Sequence, residues 1–338
     1  MGSEMCIRDR YRSHVSLNAL VLQGPPPAVP LVPASPAGAR TGGADAGGGA
    51  EAGGGLGEHV RSLWLRGFRT FKLKVGRGTP ADEAARVGEA ARALHGGGTW
   101  LRLDGNRQWT LEQAVDFARA LGRDGSLECV EYAEELLVNP AELPELYART
   151  GLRFALDESL SDALGGSAHA RGGGDSGVEA LDALAAAEPA RPGSGLAPAA
   201  QLALALLARA DAQCGLAAYI VKPSLVGGLG ACAALRARAR TSGARLVLSS
   251  AFESGVALAQ LAALAEALAD EDAGDDGGGG RGGAPEAHGL NTYEALGADV
   301  LCPSFASLVD GAHVRLEACE LALDECAREL AAQDEVVL

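Results

Sequence analysis

The sequence lacks three features, and each absence excludes a class of protein. No apolar run approaches the ~20 residues of a membrane-spanning helix. No cluster of five or more basic residues occurs and the formal net charge is −15, so we expect neither a nucleic-acid nor a membrane partner. The seven cysteines include no Cys-x-x-Cys motif, which fits neither a disulfide framework nor a zinc site. A soluble protein with reduced cysteines is therefore expected.

Low-complexity segments divide the 338-residue chain. Residues 1–57 begin without the apolar core of a signal peptide and contain a strand-like segment at 15–23 with nothing upstream to pair with. A Pro-, Ala- and Gly-rich linker follows, which we expect to be disordered. One large domain is predicted over 58–330, with insertions at about 162–197 and 270–287 and a tail at 331–338. Residues 198–214 are predicted to be the helix that follows the fourth strand.

Charged residues end several apolar stretches, each followed by a helical pattern. Lys72 and Lys74 alternate with apolar residues, so they share one face of the first strand of the domain. Asp104, Glu134, Asp157 and Lys222 end the next four stretches. Six or more strand–helix alternations, with charges at strand ends, favour an α/β parallel barrel with its site at the carboxyl ends of the strands. Residues 76–78 (Gly-Arg-Gly) lack the rest of a dinucleotide fingerprint.

The three carboxylates are candidate ligands for one hard cation. Asp104, Glu134 and Asp157 come from neighbouring strands, and Mg²⁺ prefers such oxygen ligands and keeps positions open for substrate. Glu131 is a rival to Glu134, although strand alternation favours Glu134. Lysines on either side of the cation would face each other across the pocket, and a buried lysine near a divalent cation can act as a general base.

These residues carry a resemblance to a known family. The chain resembles the enolase superfamily, muconate-lactonizing subgroup, and within it the o-succinylbenzoate synthase family. The motifs that carry the resemblance are Lys72-Leu-Lys74, Asp104-Gly-Asn106, Glu134-Glu135, Asp157-Glu158-Ser159, Lys222-Pro223-Ser224 and Ser249-Ser250-Ala-Phe-Glu253-Ser254. The resemblance implies a (β/α)7β barrel of the enolase C-terminal type. It also implies an N-terminal α+β capping domain, of which only the last strand, at 15–23, would be present here.

The resemblance also implies an activity, the dehydration of 2-succinyl-6-hydroxy-2,4-cyclohexadiene-1-carboxylate to 2-succinylbenzoate in menaquinone or phylloquinone synthesis. Asp104, Glu134 and Asp157 would bind Mg²⁺, for which Mn²⁺ could substitute. Lys74 would remove the proton α to the carboxylate, Lys222 would stabilise the enediolate and Lys72 would tune Lys74. The candidates for orienting ligands or binding the small-molecule substrate are Asn106, Arg102, Ser249, Ser250 and Gly227.

Two other functions remain open from the sequence. The same lysines serve amino-acid racemases and dipeptide epimerases of this superfamily, and a barrel without its cap could be a non-catalytic segment of a fusion protein. The Ala- and Gly-rich insertions suggest a GC-rich genome. If the source is a photosynthetic eukaryote, we expect a plastid location and neighbouring domains of a multifunctional polypeptide, and otherwise a cytoplasmic one.

Overall fold

The computed structural model describes residues 14–17, 19–21, 55–94, 98–169, 203, 205, 214–269, 286–293, 299, 301 and 304–334. The strands are β1 (His14–Leu17), β2 (Ala19–Val21), β3 (Thr70–Lys74), β4 (Trp100–Asp104), β5 (Val130–Glu134), β6 (Phe154–Leu156), β7 (Leu216–Val221), β8 (Arg245–Leu248), β9 (Ala287–His288), β10 (Val309–Asp310) and β11 (His313–Arg315). The α-helices are α1 (Leu56–Leu65), α2 (Pro80–Ala93), α3 (Leu111–Asp124), α4 (Leu143–Thr150), α5 (Glu158–His169), α6 (Pro223–Val226), α7 (Leu229–Ser242), α8 (Gly255–Ala267) and α9 (Leu316–Asp334).

Parallel pairing runs through most of the molecule. Strands β2 to β8 form one parallel sheet in chain order, and the connections between β3 and β8 carry helices. Strand β9 pairs in parallel with β1, and a bridge between Ser249 and Gly289 joins the end of β8 to the end of β9. Since only residue 18 separates β1 from β2, the parallel strands curl into the predicted α/β barrel.

The segment predicted to be the last strand of a capping domain belongs to the barrel sheet. Strand β2 pairs with β3 and β1 pairs with β9, so this segment lies between the first lysine-bearing strand and the last parallel strand. Leu17 and Ala19 are buried there. The prediction was wrong because strand partners that follow later in the chain leave no local signal in the sequence.

Alternation along β3 separates the core from the interior of the barrel. Phe71 and Leu73 are fully buried in the main hydrophobic core, whereas Lys72 and Lys74 alternate with them on the opposite face. The barrel interior therefore receives the charges, and the helices cover the apolar face.

Helix starts at the carboxyl ends of the strands follow the sequence signals. Thr79 caps α2 by accepting the amide of Asp82, with Pro80 at the first helical position. Thr110 and Gln113 form a capping box at the start of α3, as the Thr-Leu-Glu-Gln sequence at 110–113 predicts.

Two other predictions need correction. The helix that follows β6 is α5, which continues to His169 inside the predicted insertion, whereas only 203, 205 and 214 of the alternative helix at 198–214 are described. The sequence predicts a last strand at 299–301, but Asp299 and Leu301 have no strand conformation. Instead, the Asp299 carboxylate accepts the amides of Gly255 at the start of α8 and of Phe305.

Within the described ranges, no helix is both long enough and apolar enough to cross a membrane. The described cysteines are all free, which agrees with the predicted reduced state.

Candidate active site

Strand register brings the predicted charges together at one end of the barrel. Lys74 lies beside Asp104, and Asp104 lies beside Glu134, at the carboxyl ends of β3, β4 and β5. Asp157 directly follows β6, and Lys222 directly follows β7. Five consecutive strands therefore each place a charge at the face where barrel enzymes hold their active sites.

The lysines contact a row of carboxylates from both ends. Lys72 Nζ lies 2.9 Å from Asp104 Oδ2 and 2.7 Å from Glu134 Oε1. Lys74 Nζ lies 2.7 Å from the same Asp104 oxygen. At the other end, Lys222 Nζ donates at 2.6 Å to each oxygen of Asp157. The amines of β3 and β7 therefore flank the three carboxylates, as the sequence predicted.

Burial and neighbouring charges shift the pKa values of the side chains in this row. Burial raises the pKa of Glu134 well above its ordinary value, and the neighbouring carboxylates Asp104 and Asp157 add to this against the opposing charge of Lys72. Burial alone would also raise the pKa of Asp104, but Lys72 and Lys74 outweigh it and the pKa is lowered. For Lys72, burial favours the neutral amine, yet the three carboxylates raise its pKa above the ordinary value. Lys72 is therefore a fixed positive charge in this arrangement.

The carboxylate row of Asp104, Glu134 and Asp157 is the candidate divalent-cation site. No group of three or more His, Cys, Asp or Glu side chains in the described part of the chain could hold a metal ion as it stands. Lysine amines contact Asp104 Oδ2, Glu134 Oε1 and both oxygens of Asp157 instead. The donor set itself fits Mg²⁺, since the three buried carboxylates come from adjacent strand ends and their mutual repulsion favours a bound cation.

The predicted substrate-contact residues differ in their positions. Asn106 lies in the site, where its Oδ1 accepts from Lys74 Nζ and its Nδ2 donates to Glu158 Oε1 at 3.0 Å. Ser249 is half-buried and directly follows Leu248, which pairs with Val221, the residue before Lys222. The Ser250 hydroxyl is buried against Gly289 O and Thr292 Oγ1.

Gly227 is exposed and ends α6 with a positive φ of 108°. That conformation explains a glycine at this turn without a ligand.

Arg102 lies in a separate buried cluster below the site. Its Nε donates to Glu131 at 2.6 Å, Nη1 donates to Ala287 O at 2.6 Å and Nη2 pairs with Glu286. Arg245 pairs with the other oxygen of Glu131. Arg102 is only 1% exposed, so its contacts do not support a role in binding substrate. The rival ligand Glu131 is likewise paired in this cluster, which leaves Glu134 as the β5 carboxylate beside Asp104.

A second network supports the site, and only an indirect sign of it is visible in the sequence. The carboxylate of Glu135 is fully buried, with Oε1 accepting the amides of Asp157 at 3.1 Å and Ser159 at 2.9 Å. Its Oε2 accepts from the Ser159 hydroxyl at 2.9 Å and from Arg107 Nε at 3.0 Å. The sign was a second acid directly after Glu134, where solvent would ordinarily be expected.

Three residues in the turns after β4 and β5 have a left-handed backbone conformation. Asn106, Arg107 and Glu135 have φ values of 43°, 58° and 43°. Such conformations cost a non-glycine residue on the order of 1 kcal/mol each and persist where surrounding contacts impose them. The turns after β4 and β5 are therefore held by their contacts rather than by local preference.

Lysine is absent from the rest of the chain. The sequence contains three lysines, Lys72, Lys74 and Lys222, against 26 arginines. Arginine stays protonated in proteins, whereas a lysine amine can lose its proton. The chain thus keeps its few titratable amines in this one site.

Comparisons with known proteins agree with the predicted fold. Residues 55–166 match the family model described as enolase C-terminal domain-like. Over these residues the chain is similar to the barrel domain of the enolase superfamily. A protein of Arabidopsis thaliana named Protein PHYLLO, chloroplastic, is 29% identical over 243 residues, which is 72% of this chain and 12% of that protein. The o-succinylbenzoate synthase of Aliivibrio salmonicida is 32% identical over 165 residues, 49% of this chain and 37% of the synthase.

Solved structures share the fold. MenC from Desulfotalea psychrophila matches with a TM-score of 0.53 at 18% identity, covering 91% of this chain and 62% of that chain. The L-Ala-D/L-Glu epimerase of Bacillus subtilis matches with a TM-score of 0.52 at 16% identity, covering 86% and 58%. At these identities the likeness concerns the fold alone. The chain also spans less than two thirds of each relative named here.

Proposed function

We propose that this barrel is a Mg²⁺-dependent carbon–oxygen lyase with o-succinylbenzoate synthase activity. The observation that carries the proposal is the carboxylate row of Asp104, Glu134 and Asp157, flanked by lysines from opposite directions. A dehydration that begins with removal of a proton α to a carboxylate needs charge stabilisation, a base and an acid. This site contains groups suited to each task.

The roles follow from the positions of the side chains. Asp104, Glu134 and Asp157 would hold the cation, which when bound supplies positive charge for the substrate carboxylate. Lys74 is the most exposed of the three amines, at 28% against 16% for Lys72, and it takes the α-proton. It then returns that proton to the departing hydroxide on the same face, so the products are 2-succinylbenzoate and water.

The remaining lysines act by charge. The Lys222 ammonium lies at the opposite end of the row, where it stabilises the negative charge that develops on the substrate carboxylate. Lys72 stays protonated because its pKa is raised, so it acts as a fixed positive charge beside the carboxylates.

The substrate assignment rests on the relatives. Relatives that carry the name o-succinylbenzoate synthase match at 29–32% identity, and the phylloquinone pathway is consistent with the plant relative. Racemisation or dipeptide epimerisation on the same scaffold is the alternative within enzymes, and a non-catalytic barrel is the alternative outside them.

The test follows dehydration of the cyclohexadiene carboxylate by ultraviolet absorbance, with and without Mg²⁺. Lys74→Arg keeps the positive charge beside Asp104 but removes the base, so we expect turnover to fall by about 10²- to 10⁴-fold. Lys72→Arg is the matched variant and should lose much less, because it preserves a charge rather than a proton transfer. Equal losses in the two variants would contradict the assigned roles.

Outcomes on the unaltered chain separate the alternatives. Metal-dependent dehydration supports the synthase. Isotope exchange at the α-carbon of amino acids or dipeptides, without dehydration, would favour the racemase or epimerase. A folded chain without either reaction would favour the non-catalytic barrel.

A further inference from the structure

We propose that Glu135 is a positioning residue that holds the Asp157 carboxylate in place. The inference deepens the proposed function, on which its relevance to catalysis rests. Glu135 itself points away from the carboxylate row and into the neighbouring turn, where it contacts the backbone that carries Asp157.

Four hydrogen bonds converge on the Glu135 carboxylate. Oε1 accepts two backbone amides, those of Asp157 and Ser159, and Oε2 accepts from the Ser159 hydroxyl and Arg107. Bonds to an ionised acceptor are stronger than neutral ones. Because the carboxylate is fully buried, no water competes for these donors.

The turn that Glu135 holds carries Asp157. The Asp157 amide belongs to the residue whose carboxylate pairs with Lys222 through both oxygens. A shift of this turn would move the end of the carboxylate row and loosen that ion pair. Residues that orient a ligand residue influence a site without touching its substrate.

Glu135 also joins three neighbouring strand ends. It follows Glu134 on β5, its Oε2 binds Arg107 from the turn after β4, and its Oε1 binds the turn after β6. The positive φ of Glu135 turns the chain at this position. One buried side chain thus ties together the turns that carry Asp104, Glu134 and Asp157.

The test uses the scarcity of lysine in the full chain. Acylation by an amine-selective reagent, followed by mass spectrometry, reports separately on Lys72, Lys74 and Lys222 without metal or substrate. In Glu135→Gln, the amide can satisfy only part of the donors, so Asp157 shifts and Lys222 is released from its ion pair. We expect its acylation rate to rise by about threefold or more, with the Lys72 rate changed less than twofold.

The matched control is Asp162→Asn. Asp162 also pairs with Arg107, at 3.0 Å, but it lies exposed on α5 and contributes nothing to the Asp157 amide. We expect the Lys222 rate to be unchanged there. Equal Lys222 rates in Glu135→Gln, Asp162→Asn and the unaltered chain would overturn the proposal, as would equal acceleration of all three lysines, which would indicate general loosening.

A second variant covers the case in which Glu135→Gln does not fold. Ser159→Ala removes one donor to Oε2 and leaves both amide bonds, so a smaller rise at Lys222 is expected and no rise would overturn the proposal. Mg²⁺ affinity is then measured on the same proteins. A chain that shows the Lys222 effect but binds no Mg²⁺ would retain the positioning role and contradict the proposed metal-dependent function.

Discussion

At the residue scale, the pKa of a buried basic side chain depends on the charges around it. Lys72 has a raised pKa because three carboxylates outweigh its burial. His288 is buried with few compensating charges, and burial lowers its pKa to about 4, with Glu286 opposing and Arg102 reinforcing the shift. Its Nδ1 accepts the amide of Leu248 at 3.1 Å, so the ring has a structural bond as a neutral imidazole.

This burial predicts a dependence of stability on pH. Between pH 6.5, the ordinary value, and pH 4 the unfolded chain binds a proton at His288 that the folded chain does not. Stability from the neutral ring is complete above that window and is lost as the pH falls through it. From pH 7.5 to pH 5 the loss due to this residue should be about 2 kcal/mol.

Urea denaturation at the two pH values checks this expectation. His288→Asn keeps an acceptor near the Leu248 amide but cannot be protonated, so its loss of stability over the same interval should be smaller by that amount. Parallel losses in the variant and the unaltered chain would show that His288 does not titrate in this window.

At the element scale, buried charges connect strands that hydrogen bonding joins only weakly. Within the described residues, β8 and β9 meet through a single bridge, Ser249 to Gly289. Below that bridge, the cluster of Arg102, Glu131, Arg245 and Glu286 links β4, β5, β8 and the residue before β9. A register shift in β5 leaves Glu131 out of the pairing with β4, and its carboxylate pairs with Arg102.

Removing one charge from this cluster should destabilise the barrel. Glu131→Gln leaves two guanidinium groups with one remaining carboxylate, and breaking a buried ion pair in this way costs about 3 kcal/mol. Urea denaturation measures the change. The control is Glu145→Gln, which removes an exposed partner of Arg149 and should leave the midpoint unchanged within error. Equal effects of the two substitutions would contradict the structural role of the cluster.

The element scale also shows what the sequence could predict. Alternation and caps in the sequence predict strands at 69–75, 100–104, 129–134, 153–156, 218–222 and 245–249 and a helix at 229–242. Strand β4 and helix α7 have these bounds, and the other five strands differ by at most two residues at either end, because alternation and caps are local signals. The pairing of β1 and β2 was missed because its partners follow later in the chain. Arg102 was placed wrongly because alternation predicts a face but not a depth. It shares a face with Asp104 but lies two residues earlier, about 7 Å further from the mouth.

The site residues were predictable for a similar reason. Asp104, Glu134, Asp157 and Lys222 each end a strand, so their convergence follows from parallel topology alone. Glu135 was not predictable as a contact, since its bonds depend on a left-handed turn that brings it to the next strand end.

At the scale of the whole molecule, a chain of acidic net charge places all of its lysines in one site. The net charge is −15, yet all three lysines meet the carboxylate row at the mouth of the barrel. The relatives extend well beyond the matched region, which covers 12% of the plant protein and 37% of the bacterial synthase. The proposed activity must therefore be tested on the barrel itself.

The measurement that tests the central claim most directly is Mg²⁺ binding to the full chain by isothermal titration calorimetry. We predict one site, with an affinity that falls by about 10-fold or more in Asp157→Asn and stays unchanged in the exposed control Asp162→Asn. No binding, or equal binding in all three proteins, would contradict a metal site built from Asp104, Glu134 and Asp157.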